Sequence, residues 1–140
     1  MTVRRRFKER GPPQDKMHTK VTLRFQRKSG LPPTDDVFRI MDDDEYHDTY
    51  QVDFNPGNGR GQYRYFLTRP ALLDYIADIL RSMPHDADPF EYLQVDTQMH
   101  PTVLYHVSDL DDPMVRHLIE DTVETALVRS IRKVKTDLRE

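Results

Sequence analysis

The sequence predicts an α+β fold. An antiparallel sheet of about five to six strands, in the order β-β-β-β-α-β-β-α, carries two helices packed on one face. Three observations predict it. Short stretches with apolar residues at alternate positions recur before residue 68 and again within 90–108. One amphipathic helical stretch separates the two groups. A sharp helix start at Asp112-Pro113 follows the last strand.

The chain has 140 residues, one domain's worth. A chain of this size buries roughly two thirds of its unfolded surface without a metal or disulfide. It has no cysteine, which excludes thiolate metal sites and a cysteine nucleophile. No apolar run approaches the roughly 18 residues of a membrane span. No secretory apolar core stands at the N-terminus. The expected setting is intracellular, in cytoplasm, nucleus or virion, with no membrane partner.

Charge is distributed unevenly. Residues 1–28 carry net +8, and residues 29–140 carry net −11. Such asymmetry marks a tail that meets a partner. Residues 1–16 read as a basic extended arm, because Gly11-Pro12-Pro13 breaks any helix and few apolar residues are present. Arg4, Arg5, Arg6, Lys8 and Arg10 are its candidate partner- or phosphate-binding residues. Residues 17–140 read as a single α+β domain with a long C-terminal helix.

Within Met17–Gln26, Thr19, Val21, Leu23 and Phe25 face one way. Lys20, Thr22, Arg24 and Gln26 face the other, as in a half-buried strand. Val37–Met41 is a short strand. Asp42-Asp43-Asp44-Glu45 reads as an exposed loop, since adjacent acids repel and require water. Tyr50, Val52 and Phe54 mark a strand, and Tyr63, Tyr65 and Leu67 mark the next. The glycine-rich tip between them lacks the helix that a phosphate-cradling loop needs behind it. Phosphate binding there would rest on Arg60 and Arg64 alone.

Thr68 caps a helix that Pro70 opens and Pro84 stops, with Leu72, Ile76, Ile79 and Met83 as its inner stripe. Phe90–Asp96 and Thr102–Ser108 form a second hairpin. Its first strand is apolar on both sides: Phe90 and Tyr92 on one, Leu93 and Val95 on the other. Such a strand sits centrally or at an interface. Leu104, His106 and Tyr92 are therefore the candidate interface residues. Asp112 caps the last helix, which is predicted to run towards Glu140 with Ile119, Val123, Ala126 and Leu127 inward.

Residues 68–112 resemble small uncharacterised proteins of large DNA viruses of algae and protists. The resemblance rests on the Thr-started helix, Asp88-Pro-Phe90, Gln94, Pro101-Thr-Val-Leu104 and Val107-Ser-Asp-Leu110, about a third of the chain. It implies a viral or virus-derived context, such as a virion component. Its motifs are structural punctuation and imply no activity.

No nucleophile elbow, P-loop, dinucleotide fingerprint or zinc-protease helix is present. No catalytic residue, metal ligand or cofactor is assigned. The expected function is a non-enzymatic interaction module, a small structural or accessory component of a larger assembly, with a protein partner or self-association. The first alternative is a nucleic-acid-associated protein using the basic arm. The second is a metal-dependent enzyme built on His100, His106 and Asp96.

Overall fold

A computed structural model describes residues 3–5, 19–28, 35–57, 61–86 and 89–128. Strands β1 (Val3–Arg5), β2 (Thr19–Arg27), β3 (Asp36–Asp42), β4 (Thr49–Asn55) and β5 (Tyr63–Thr68) come first. Helix α1 (Arg69–Asp86), strands β6 (Phe90–Thr97) and β7 (Val103–His106), a 3-10 helix (Val107–Asp111) and helix α2 (Pro113–Leu127) follow. The sheet order is β1-β5-β4-β3-β2-β6-β7, with every neighbouring pair antiparallel.

The α+β architecture and its six predicted strands are present, and β1 adds a seventh along β5. Topology explains why the helices share a face. Strands β2 to β5 form a meander, and β6 joins its far side, next to β2. Helix α1 therefore packs over β5 and β4, and α2 packs beside it over β2 and β6. Val21, Leu23 and Phe25 of β2 are fully buried beneath them. Phe38, Ile40, Val52, Leu67, Leu93 and Val95 extend that layer, and Leu72, Ile76, Leu80, Ile119, Val123 and Leu127 close it from above. Each such side chain contributes about 1.5–3 kcal/mol by leaving water.

Two bulges set which residues reach this layer. Lys20 is an extra residue between Thr19 and Val21, which pair with Met41 and Ile40. Glu91 is extra between Phe90 and Tyr92, which pair with Arg27 and Gln26. A bulge breaks the two-residue alternation. Phe90 consequently turns to the helix side, 5.4 Å from the Phe25 ring, while Tyr92 stays on the opposite, outer face. The predicted pairing of Phe90 with Tyr92 on one face is thus corrected. The two-sided apolar character of β6 is largely a product of the bulge.

Three boundaries also differ. Helix α1 continues through Pro84 to Asp86. A proline this late forfeits only its own bond to Leu80, and the last-turn carbonyls lack partners in any helix. Strand β7 ends at His106, where the His106 side chain accepts from the Ser108 N–H and turns the chain into the 3-10 helix. Helix α2 starts as predicted, with Asp112 accepting from the Met114 N–H and Pro113 following. It ends at Leu127, with Val128 extended, and does not run on unbroken towards Glu140. Its buried stripe ends at the same residue, and the Tyr50 hydroxyl donates to the Leu127 carbonyl at 3.1 Å. Residues 129–140 lie outside the described residues.

Of the predicted exposed loop Asp42–Glu45, Asp44 and Glu45 are exposed, whereas Asp42 is the half-buried last residue of β3 and the loop begins only at Asp43. That residue is buried and its carboxylate accepts from the Glu45 N–H, closing the turn.

Candidate functional site

The sheet's outer face bears no described helix. Strand register orders its side chains into rows. Across five strands one row reads Arg64, Asp53, Arg39, Thr22, Asp96. Arg64 grips Asp53 with two bonds, of 2.7 and 3.2 Å. Gln51 also donates to Asp53, at 3.2 Å. Asp96 accepts from Gln94 at 2.9 Å and from the Thr102 hydroxyl. The Arg39 side chain, between these two groups, makes no hydrogen bond or ion pair with any described residue.

Around Thr22 the outer face sinks into a hollow of about 270 Å³ whose walls include Lys20, Arg24, Arg39 and Asp96. Lys20 reaches Asp42 only at 3.7 Å, and Arg24 reaches Asp35 only at 3.6 Å. These are ion pairs too long for good hydrogen bonds. Lys20 and Arg24 thus have carboxylates nearby but not in direct hydrogen bonds, and Arg39 is the cation of the hollow whose side chain has no ion-pair partner among the described residues. Lys20, Thr22 and Arg24 are legible as one strand face. What the sequence lacks is the β2–β3 register that brings Arg39 opposite Thr22.

The predicted interface residues do come together. Tyr92 pairs with His106 across β6 and β7, and their rings meet edge-to-face at 5.4 Å. Leu104, opposite Gln94, lies on the same face and is 52% exposed. His106 is exposed, not a core histidine. Its Nδ1 lies 2.7 Å from the Ser108 hydroxyl and 3.1 Å from the Ser108 N–H. This arrangement caps the turn into the 3-10 helix.

Strand β7 ends the sheet, so its outer edge has no strand partner among the described residues. Val103 is 40% exposed. Met114 and Leu118 make a second exposed apolar pair, one turn apart on α2.

The other candidates separate. Arg4 and Arg5 belong to β1, while Arg6, Lys8 and Arg10 lie outside the described residues. Arg60 does too, and Arg64 is engaged by Asp53. Asp96 accepts from Gln94 and Thr102, while His100 sits in the exposed turn. No group of three or more His, Asp or Glu that could hold a metal occurs among the described residues. No helix among them is long and apolar enough to cross a membrane. Comparison with family models, curated proteins and solved structures returned no match.

Proposed function

We propose that the protein is a non-enzymatic interaction module that assembles with further copies of itself by strand pairing along β7. The observation that carries this reading is the state of that edge. Strand β1 lies along β5, which leaves β7 at the other end of the sheet. Edge strands are usually guarded by lysine, proline or inward charge. Strand β7 is short, at four residues, but Val103-Leu104-Tyr105-His106 contains none of these, and Val103 and Leu104 are exposed.

The pattern is self-complementary. A two-fold axis normal to the sheet keeps the two outer faces aligned only if facing residues lie on the same side. Centring the axis on Leu104 sets two Leu104 side chains together and Val103 against Tyr105 of the second copy. Thr102 then faces His106, and no like charges oppose each other. The resemblance of residues 68–112 to small viral proteins adds a virion or virus-derived assembly as the setting.

Light scattering on the full chain across a concentration series tests this reading. The wild type is expected to dimerise, and Leu104→Lys to remain monomeric at the same concentrations. Leu104 is exposed, so the substitution leaves the core intact. A wild type that stays monomeric throughout, or a Leu104→Lys variant that associates equally well, contradicts the proposal.

A further inference from the structure

We infer that the outer-face hollow is a binding site for a phosphate ester carrying hydroxyl groups, of which a nucleotide is the simplest example. This inference uses Lys20, Arg24, Arg39 and Asp96 and is independent of the β7 edge.

Charge is the first reason. Three cationic side chains and one carboxylate line the hollow. Arg39 is only half-exposed and has no anionic partner among the described residues. Its cross-strand neighbour Asp53 would be the natural partner, but that carboxylate is held by Arg64. A half-buried guanidinium without an anion is unfavourable, and a bound anion relieves it.

Geometry is the second reason. Lys20 and Arg24 lie to either side of Thr22 along β2, and Arg39 faces Thr22 from β3. Cations thus approach one point from three directions. A phosphate group presents three terminal oxygens and up to two negative charges. A carboxylate offers two oxygens and one charge. Guanidinium forks match phosphate oxygens with paired N–H donors, and the lysine ammonium adds a compact charge. The Thr22 hydroxyl completes the floor.

Asp96 supplies the third reason and narrows the ligand. It faces Thr22 from the opposite strand, β6. Strands lie about 4.8 Å apart, so Asp96 and Arg39 are separated by about 10 Å across the hollow. Gln94 and Thr102 hold its carboxylate in place. A carboxylate has about four acceptor positions, so Asp96 keeps capacity for a further donor. A ligand with phosphate at the Arg39 end and hydroxyl groups at the Asp96 end satisfies both. The volume of about 270 Å³ suits one such unit.

The experiment is calorimetric titration of the full chain at low salt with inorganic phosphate, adenosine monophosphate and a short single-stranded oligonucleotide. Adenosine monophosphate is expected to bind more tightly than inorganic phosphate. Arg39→Gln is expected to weaken it at least tenfold, and Asp96→Asn to abolish its advantage over phosphate. Arg81→Gln, on the exposed face of α1, is expected to change nothing. Circular dichroism confirms that each variant is folded. Binding of the oligonucleotide alone, lost in Arg39→Gln, identifies a nucleic-acid chain as the source of the phosphate ester. Binding of the mononucleotide identifies a free ligand. The inference is overturned if none of the three probes binds, or if Arg39→Gln and wild type bind alike.

Discussion

Arg39 and Asp53 face each other directly across β3 and β4, yet Asp53 gives both carboxylate oxygens to Arg64 on β5. One carboxylate stands between two guanidinium groups, and its choice leaves Arg39 available. The same pairing therefore secures the β4–β5 hairpin and shapes the electrostatics of the outer face.

Arg64→Ala tests that division. The Arg64–Asp53 pair is largely shielded, with side chains 21% and 20% exposed, so it exceeds an ordinary surface pair. Its loss is expected to cost about 1–2 kcal/mol, within the range for charge-assisted hydrogen bonds. The freed Asp53 is then expected to turn to Arg39 and weaken phosphate binding. Urea unfolding and phosphate titration measure the two effects. Unchanged stability would show that the pair contributes nothing.

Tyr50→Phe is expected to destabilise the protein by about 1–2 kcal/mol in chemical denaturation. The hydroxyl donates to the Leu127 carbonyl in a buried position, and its removal leaves a helix-end carbonyl unpaired. A loss below a few tenths of a kcal/mol would place water or another donor at that carbonyl.

Deletion of Glu91 removes the β6 bulge. Regular alternation would then turn Phe90 to the outer face or shift the register of β6 against β2. Phe90 is 5% exposed and packs on Phe25, so a loss of about 3–5 kcal/mol is expected, comparable to truncating a buried aromatic. Thermal unfolding checks it, and Glu91→Ala, which keeps the bulge, serves as the mild control.

Asp112→Ala removes the acceptor for the Met114 N–H at the start of α2. The expected cost is about 1 kcal/mol, measured by denaturant midpoint, with Asp112→Ser retaining most of the stability.

Regular alternation and capping were legible in the chain. Val21, Leu23 and Phe25 announce β2, Thr68 and Pro70 announce α1, and Asp112-Pro113 announces α2 at its observed start. The misplacements have local causes. A bulge residue such as Glu91 has no signature of its own, so Phe90 appears on the wrong face. Helix α1 runs past Pro84, and α2 ends where its buried stripe ends and Tyr50 holds the Leu127 carbonyl. The hollow was illegible for a different reason. Lys20, Arg24, Arg39 and Asp96 come from three strands, and only pairing register makes them neighbours.

The open β7 edge is tested most directly by amide hydrogen exchange at Val103–His106, followed at low and high protein concentration. Alternate amides of an edge strand point away from the sheet. Strand pairing between copies predicts that these amides gain protection as concentration rises, and that Leu104→Lys abolishes the gain. Protection at β7 that does not change with concentration would contradict self-assembly through this edge.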